Sequence, residues 1–451
     1  MNKKNILISD ANHGGLILLE EYSKYTHNNL FFYDIYNKLS ENKKNELGKK
    51  FNVKFLSLKE IQEHENSFIK INPVHMPPVI KTDYTHHEFV GYLLKKIKIK
   101  TKIIQVTGVK GKTTVTTLLK HVLSNYNTLV LTSDKLTYNN KTLMKKLSIT
   151  PASIITAINK AKEEKIFNEL DYCIFEVSLG VVPNGYINIL TNILEDYPIA
   201  KDSSCASIAK ESVFTSKHTI CEYSSYQTFY NVHKNVITLS FDNENADIYS
   251  CNVKYDIKNT NFDMTYFDKK YNITHFALSD FYITNLLFAI SVGLILKINI
   301  KDIISNLKSS DNIEGRNSYK YINDKLIIED INPGLNTTSI KKCVDNITKY
   351  SEDYLLIIGG DYGITCEEID EEKLYEYLKN IKPKQIIFTG KLGYNLKNKL
   401  NKSYTYFNKL NEAVEYCIKK TDKMIIQIIY RSEYNSNIKD TLYETWWFSK
   451  I

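Results

Sequence analysis

Arginine is almost missing from this chain of 451 residues, in which only Arg316 and Arg431 occur. Cysteine and proline are sparse, with seven and eight residues. No two cysteines form a C-x-x-C pair and their number is odd, so the sequence predicts neither a zinc site nor a disulfide framework. A reducing cytoplasm is the compartment that suits such cysteines. No Pro- or Ser-rich linker interrupts the chain.

Long apolar runs are missing as well. The most apolar stretch, residues 281–296, is shorter than the roughly 20 residues of a membrane-spanning helix and is interrupted by polar side chains such as Asn285. Near the N-terminus only residues 6–8 are apolar, which is too short for the apolar region of a signal peptide. We therefore predict a cytoplasmic protein without a membrane partner, in which residues 281–296 form a buried helix.

The net charge of +8 is carried almost entirely by lysine. A positive balance suits an acidic ligand such as a nucleotide or a polycarboxylate. No short basic cluster is interleaved with aromatic residues in a recognisable nucleic-acid module, so no nucleic-acid partner is predicted.

Three α/β units are predicted, because runs typical of strands alternate with amphipathic helical segments. The first unit opens with a strand, a turn formed by His13, Gly14 and Gly15, and an apolar helix, which is the order of a nucleotide-binding α/β layer. A lysine-rich stretch, residues 95–102, surrounds its end. The three predicted units are residues 1–98, 99–316 and 317–451.

The central unit is predicted to contain two kinds of strand. Residues 171–177 and 186–191 are continuous apolar runs, typical of a parallel sheet buried on both faces. Residues 218–278 alternate apolar and polar side chains, as in 262–266 and 271–275, which predicts antiparallel hairpins. In the third unit, strands are predicted at 325–331, 354–358, 385–389 and 424–429.

The strongest signal is a glycine loop between a predicted strand at 102–106 and a predicted helix at 113–123. Glycines let main-chain N–H groups curl around phosphate oxygens, and the N-terminus of the helix attracts the same anion. Lys112 would reach the β- and γ-phosphates, and the Thr113 hydroxyl would ligate Mg²⁺. Val106 stands where the standard loop has its first glycine, so the loop is a variant. The predicted ATP-binding residues of this loop are Thr107, Gly108, Val109, Lys110, Gly111, Lys112, Thr113 and Thr114.

The loop resembles the ATP loop of the Mur ligases and folylpolyglutamate synthetases, in which T-G-x-x-G-K-T-T follows a strand. Glu176 matches the family's E-x-S segment, and the resemblance implies that it holds magnesium; a carboxylate at a strand end can complete such an oxygen shell. Lys210 lies in a segment similar to A-K-x-x-[IL]-[FY], whose lysine is often carbamylated into a metal ligand. Tyr197 stands where the related T-N-[IL]-x-x-D-H segment has a histidine that helps to hold a metal.

Three further residues resemble the family's nucleotide site. Asn285 matches an asparagine that reads adenine, Arg316 matches the arginine that closes the central domain, and Asp330 matches an aspartate that contacts the nucleotide. The resemblance implies a three-domain Mur-ligase-like α/β fold, with a central P-loop domain of mostly parallel sheet flanked by two Rossmann-like domains. It also implies ATP and Mg²⁺ as cofactors. The implied catalytic residues are Lys112, Glu176, Lys210 and Arg316, and the implied metal ligands are Thr113, Glu176 and Lys210.

Within this superfamily the chain most resembles the coenzyme F(430) synthetases of methanogenic archaea. The segments that carry this resemblance are residues 13–15, 72–77, 85–88, 332–336, 359–361 and 366–370. It implies an intramolecular reaction: ATP phosphorylates a propionate of seco-F(430) acid, a nickel tetrapyrrole, and a ring carbon then displaces the phosphate and closes a carbocycle. The implied substrate contacts are His13, Gly14, Gly15, His75, His86 and His87.

These histidines would act on the substrate in one of two ways. A neutral imidazole can accept a proton from a carbon nucleophile near pH 7, and it can also hydrogen-bond the carboxylates of the tetrapyrrole. No carboxylate–histidine spacing indicates zinc. Nickel is expected to arrive inside the substrate.

Two other activities remain open from the sequence. A Mur-like amide ligase, for pseudomurein peptides or for adding an amino acid to a cofactor, would require a free amino acid. A P-loop phosphotransferase or NTPase would require neither a carbamylated Lys210 nor a mobile third domain. A non-catalytic ATP-binding scaffold is disfavoured, because Lys112, Thr113 and Glu176 are all intact.

Overall fold

The computed structural model describes residues 4–310, 313–322, 324–364, 369–400, 403–420 and 425–432. By its contacts the chain divides into two compact units. The first consists of Met1–Cys251, Met264–Tyr271 and Thr284–Ser309, and the second of Asn252–Asp263, Asn272–Ile283 and Ser310–Ile451. Residues 1–98 therefore group with the segment that follows them, and the three-domain division stays a prediction.

The elements follow one another in a mostly alternating order. The strands are β1 (Asn5–Ser9), β2 (Asn29–Tyr33), β3 (Val53–Phe55), β4 (Phe68–Asn72), β5 (Tyr84–Thr85), β6 (Lys102–Thr107), β7 (Thr128–Leu131), β8 (Lys135–Tyr138), β9 (Lys141–Lys145), β10 (Tyr172–Glu176), β11 (Ile187–Leu190), β12 (Pro198–Ile199), β13 (Ser204–Cys205), β14 (His218–Glu222), β15 (Val236–Leu239), β16 (Ile248–Lys254), β17 (Thr260–Tyr266), β18 (Lys269–His275), β19 (Arg316–Ile322), β20 (Lys325–Ile331), β21 (Tyr354–Gly360), β22 (Gln385–Thr389), β23 (Thr405–Phe407) and β24 (Ile425–Arg431).

The helices are α1 (Gly15–Ser23), α2 (Glu41–Phe51), α3 (Leu58–Glu63), α4 (His86–Ile97), α5 (Lys112–Val122), α6 (Pro151–Glu163), α7 (Ala206–Lys210), α8 (Tyr223–Ser225), α9 (Asp280–Ile295), α10 (Ile300–Leu307), α11 (Thr337–Ile347), α12 (Glu371–Leu378), α13 (Gly390–Leu400) and α14 (Leu410–Lys420). Short 3-10 turns lie at Glu65–Ser67, Phe167–Glu169, Glu211–Thr215 and Lys308–Ser310, and a π-helical turn lies at Tyr226–Tyr230. None of the helices within the described residues is long and apolar enough to span a bilayer.

The first sheet is parallel, with the strand order β3-β2-β1-β4-β5. From β1 the chain moves outward to β2 on one side, and it later returns to place β4 on the other side. The carboxyl ends of β1 and β4 therefore border the crevice at which the strand order reverses, which is where open α/β sheets bind ligands. Helix α4 begins beside this edge with a capping box, in which Thr85 and Glu88 bond each other's main-chain N–H groups.

The second sheet contains five central strands in the order β14-β11-β6-β10-β7, all parallel to their neighbours. Their residues are almost entirely buried, as their continuous apolar runs predicted. Strands β8 and β9 extend the β7 edge in antiparallel fashion. Strand β6 leads into the glycine loop, and its two neighbours in the sheet are β10 and β11. Both neighbours were predicted from the sequence.

The prediction of antiparallel hairpins throughout residues 218–278 was wrong in its first part. Strand β14 runs parallel to β11, and β15 runs parallel to β14. The middle of β14 is buried, so it behaves as another inner strand of the parallel sheet rather than as one half of a hairpin. The prediction holds for β17 and β18, which are neighbours in the sheet and are joined by only two residues.

Six described strands between Arg316 and Arg431, in the second compact unit, form a sheet in the order β19-β20-β24-β21-β22-β23. Strand β19 pairs antiparallel to β20, and the other pairs are parallel. Strands β20 and β22 have the predicted bounds, β21 extends two residues further, and the predicted start of β24 at Met424 lies outside the described residues. Isoleucines and leucines of β20, β21 and β24 fill the core against α14.

Candidate nucleotide and substrate site

The glycine loop lies between β6 and α5, where the sequence predicted it. Gly108 and Gly111 have φ angles of 139° and 87°, a region that side chains other than glycine rarely enter. A Cβ atom on Gly108 would lie 2.0 Å from Thr191 Oγ1, and one on Gly111 would lie 2.6 Å from Asn285 Oδ1. Both glycines are therefore required by backbone conformation and by close contacts, and Asn285 lies beside the loop.

The two residues that follow β11 hold the loop in shape. Val109 N donates to Asn192 O at 2.9 Å, and Lys110 N donates to Asn192 Oδ1 at 3.0 Å. Lys110 O in turn accepts from Thr191 Oγ1 at 2.5 Å and from Asn192 Nδ2 at 3.1 Å. Thr191 and Asn192 begin the segment that is similar to T-N-[IL]-x-x-D-H, but no function was predicted for them. The feature of the sequence that could have indicated this function is a pair of polar residues directly after a buried parallel strand.

The side chain of Lys112 folds back over the loop. Its Nζ donates to Gly108 O at 3.0 Å and to Val109 O at 3.2 Å, so the ammonium group lies on the same side as the curled main chain. Thr114 is buried behind the first turn of α5. The helix N-terminus, the main chain of Lys110 to Lys112 and the ammonium group combine into a positively polarised concave surface, which favours an anion.

Glu176 ends strand β10 next to this surface. Its Oε1 accepts from the Thr113 hydroxyl at 2.9 Å, and its Oε2 accepts from Ser133 N at 3.1 Å. Only 2% of the residue is exposed. A hydroxyl and a carboxylate oxygen side by side are the ligands that Mg²⁺ prefers. Thr113 and Glu176, the two residues predicted as magnesium ligands, are therefore in contact, and their oxygens are of the kind that would hold magnesium.

Lys210, at the end of α7, is only 1% exposed. Its Nζ lies 3.3 Å from the hydroxyl of Tyr197 and 5.1 Å from the centre of that ring. The residue that replaces the family's histidine therefore contacts the predicted carbamylation site directly. Neighbouring Asp196 is engaged at the start of α7, where its carboxylate accepts from Ser207 N at 2.7 Å and Ser207 Oγ at 2.6 Å.

The predicted substrate histidines separate into two pairs. His86 and His87 are buried, and their Nε2 atoms lie 3.1 Å from the main-chain oxygens of Ser9 and Ser178 respectively. Burial lowers the pKa of His86 to about 3 and that of His87 to about 4. The charges of His75 and Lys210 also lower the pKa of His87, whereas its bond to Ser178 and the charge of Glu88 raise it. These two rings are neutral and fix the main chain, which favours a positioning role.

His13 and His75 form the other pair and converge on Asp10. The carboxylate of Asp10 is fully buried, and its Oδ2 lies 2.7 Å from His13 Nδ1 and 3.4 Å from His75 Nε2. Burial alone would raise the pKa of Asp10, but hydrogen bonds from the two histidines bring it well below its ordinary value. Asp10 was not predicted as a site residue, because a single aspartate after a strand carries no motif of its own.

Gly14 and Gly15 are explained by packing. Gly14 has a φ of 104°, and a Cβ there would lie 2.4 Å from Ala152 Cβ. A Cβ on Gly15 would lie 2.4 Å from Ser9 O. Both glycines let helix α1 start close to β1 and α6, and their contact with substrate stays a prediction.

Arg316 and Asp330 belong to the second compact unit, where they are partners across β19 and β20. Asp330 is buried; it accepts from Asn317 N at 3.0 Å and from Gln427 Nε2 at 3.3 Å. Burial raises the pKa of its carboxyl group. Residues 366–368 of the predicted family segment lie outside the described residues.

Solved structures with the same fold include ligases crystallised with nucleotides. The MurF ligase of Thermotoga maritima in complex with ADP matches with a TM-score of 0.59 and 13% identity, covering 94% of this chain and 95% of that one. A bifunctional folylpolyglutamate synthase/dihydrofolate synthase with Mn, AMPPNP and L-glutamate bound matches with a TM-score of 0.59 and 14% identity, covering 78% of this chain and 93% of that one. These likenesses show that the chain has the fold of the Mur ligases.

Sequence relatives narrow the class to one family. A family model described as the C-terminal domain of coenzyme F430 synthetase CfbE matches residues 319–433. The coenzyme F(430) synthetase of Methanocaldococcus jannaschii is 33% identical over 416 residues, which cover 88% of this chain and 94% of that protein. The synthetase of Methanosarcina acetivorans is 25% identical over 452 residues, covering 86% and 90%. The chain belongs to the coenzyme F(430) synthetase family, as its resemblance predicted.

Proposed function

We propose that this protein is an ATP-dependent ligase that activates a propionate of seco-F(430) acid as an acyl phosphate and closes the carbocyclic ring of the nickel tetrapyrrole. The observation that carries the proposal is the contact of Thr113 with Glu176 beneath a glycine loop, in a chain that is 33% identical to a coenzyme F(430) synthetase. ATP and Mg²⁺ are the cofactors that this arrangement fits.

The loop residues would bind the phosphates of ATP through their main-chain N–H groups. Lys112 would exchange its contacts with Gly108 O and Val109 O for phosphate oxygens, and would offset the negative charge that develops as the phosphoryl group moves. Thr113 and Glu176 would hold Mg²⁺, which supplies a further positive charge at the phosphates when it is bound. Asn285, whose amide lies against Gly111, is the proposed contact for adenine.

The proposed reaction proceeds through two successive displacements. A carboxylate oxygen of the substrate attacks the γ-phosphorus and ADP leaves. A ring carbon, after losing a proton to a base, then attacks the carbonyl carbon of the acyl phosphate, and phosphate leaves. The net change in the tetrapyrrole is the loss of one water. His13 and His75 are proposed to contact the substrate, since each is partly exposed beside Asp10.

Carbamylation of Lys210 is part of the proposal. Lys210 is buried, and the neutral form of a lysine amine is the form that reacts with carbon dioxide. The product is a carboxylate-like group that would ligate metal. The phenol of Tyr197, at 3.3 Å from Nζ, would donate to that carbamate. Arg316 and Asp330, in the second unit, are proposed to contact the phosphates and the nucleotide.

The test is incubation of the purified full chain with ATP, Mg²⁺ and the nickel seco-tetrapyrrole, without any amino acid, followed by mass spectrometry of the tetrapyrrole. Loss of one water together with one ADP for each product is the expected result. Label placed in the propionate oxygens should appear in the released phosphate, because the acyl phosphate passes one oxygen to phosphorus. A product that forms only when an amino acid is added would overturn ring closure in favour of amide ligation. ATP hydrolysis without transfer of label would indicate a phosphotransferase or NTPase.

A further inference from the structure

The ends of β1 and β4 bring together one carboxylate and two imidazoles. Asp10 follows β1 directly, His13 lies three residues later, and His75 follows β4. These strands border the point of the first sheet at which the strand order reverses. The three residues are the only group of histidine, cysteine, aspartate and glutamate side chains in the described part of the chain whose ligand atoms converge closely enough to hold one metal ion.

The distances among the three atoms match the spacing of ligands around a metal. His13 Nδ1 lies 2.7 Å from Asp10 Oδ2, His75 Nε2 lies 3.1 Å from His13 Nδ1, and His75 Nε2 lies 3.4 Å from Asp10 Oδ2. For metal–ligand bonds of about 2.1 Å, adjacent ligands lie about 3.0 Å apart in an octahedron and about 3.4 Å apart in a tetrahedron. The observed sides of 2.7 to 3.4 Å allow a single ion to lie about 2.1 Å from all three atoms.

The surrounding contacts suit such an ion. Asn12 Nδ2 lies 3.1 Å from His13 Nε2. When Nδ1 of His13 binds metal, its Nε2 carries the proton and needs an acceptor. A 180° rotation of the Asn12 amide would place its oxygen there as that acceptor. Asp10 is fully buried, while the side chains of His13 and His75 are 35% and 24% exposed. A metal held from the buried side by Asp10 would therefore keep open positions on its outer side, as ligand-binding metal sites do.

We infer that Asp10, His13 and His75 form a binding site for a free first-row divalent transition ion, such as Zn²⁺, Co²⁺ or Ni²⁺, separate from the proposed magnesium site at Thr113 and Glu176. Two imidazoles and one carboxylate prefer such ions over Mg²⁺. The nickel of a tetrapyrrole is excluded as the occupant by geometry: its four ring nitrogens leave one position on each face, whereas this site offers three ligands from one side. The inference does not depend on which substrate the ligase activates.

The test is a titration of the untagged full-length protein, first freed of metal with a chelator, with Co²⁺ in the presence of excess Mg²⁺. One equivalent should bind, with the visible absorption of a nitrogen- and oxygen-ligated ion, and Zn²⁺ should displace it. The affinity for Co²⁺ should fall at least tenfold in each of three variants, His75→Ala, His13→Ala and Asp10→Asn. His233→Ala is the matched control, because His233 Nε2 also lies against a carboxylate, at 2.9 Å from Glu211 Oε1, and it should bind Co²⁺ like the wild type.

Three results would overturn the inference. One is the absence of stoichiometric binding to the folded wild type. Another is binding that the three substitutions leave unchanged while thermal unfolding shows the variants to be folded. The last is a metal signal that arises only when the nickel tetrapyrrole is added, since one histidine would then be an axial ligand of the substrate's nickel and no free ion would be bound.

Discussion

The exchange of Glu176 for glutamine tests the proposed magnesium site with little change in shape. Glutamine can place its carbonyl oxygen toward Ser133 N and its amide nitrogen toward the Thr113 hydroxyl, which can also accept, so both neighbours keep a partner. Neutral hydrogen bonds then replace charge-assisted ones, a difference of about 1 kcal/mol for each bond. We expect the free energy of unfolding to fall by no more than about 2 kcal/mol.

The effect on the metal should be much larger. Two unit charges about 4 Å apart interact by about 4 kcal/mol at the effective dielectric constant of a protein surface, and each 1.4 kcal/mol corresponds to a factor of ten in affinity. Water that replaces the carboxylate recovers part of this energy. The concentration of Mg²⁺ that gives half-maximal turnover should therefore rise at least tenfold in Glu176→Gln, measured by titrating Mg²⁺ at saturating ATP.

Glu222→Gln is a matched control, because Glu222 also ends a strand of the central sheet. It accepts from Ser225 Oγ at 2.6 Å and from the main-chain N–H groups of Ser224 and Ser225 at 2.8 and 2.7 Å. This variant should keep the magnesium dependence of the wild type. A Mg²⁺ titration of Glu176→Gln that superimposes on the wild-type curve would refute the assignment of Glu176 as a metal ligand.

Lys112→Ala should abolish turnover while circular dichroism and thermal unfolding stay close to the wild type, and normal activity would contradict the phosphate assignment. Gly108→Ala should lower the free energy of unfolding by about 2–4 kcal/mol, since it combines a strained φ with a Cβ placed 2.0 Å from Thr191 Oγ1. In Gly363→Ala, at a positive φ, the added Cβ would meet no atom of the described residues within 4 Å, so only the backbone part of the free energy of unfolding should be lost. Equal losses for the two variants in urea unfolding would contradict the contact argument. His87 has a pKa of about 4 when folded and about 6.5 when unfolded, so the unfolded chain takes up a proton first as the pH falls, and folding stability drops between about pH 6.5 and 4. Relative to His87→Gln, the wild type should lose up to about 1.4 kcal/mol per pH unit in that window, and parallel curves for the two proteins would show that the buried ring is not the cause.

The amino-acid sequence by itself determined the nucleotide loop. Its eight residues are contiguous, and the strand before them and the helix after them follow from local apolar patterns, so neighbouring residues carry nearly all the information. The buried strands of the central sheet were predicted for the same reason: a strand covered on both faces is a continuous apolar run. Glu176 was identified by its match to the family's E-x-S segment, which lies at the end of such a run.

Tertiary structure decided what depends on residues far apart in the chain. Thr191 and Asn192 directly follow strand β11 and hydrogen-bond the main chain of Lys110, although they lie more than 80 positions away from it in the sequence. The parallel direction of β14 depends on pairing with β11, which an alternating pattern does not reveal.

The histidines also show that local sequence patterns do not predict which distant residues meet. All four of the predicted substrate histidines were assigned the same role from the sequence. In the structure, His86 and His87 are buried against main-chain oxygens, whereas His13 and His75 meet at Asp10. This meeting exists only because β1 and β4 are neighbours in the sheet, although more than 60 residues separate His13 from His75. The physical reason is that local patterns specify strands and turns, while the order of strands in a sheet is settled by packing of the whole chain.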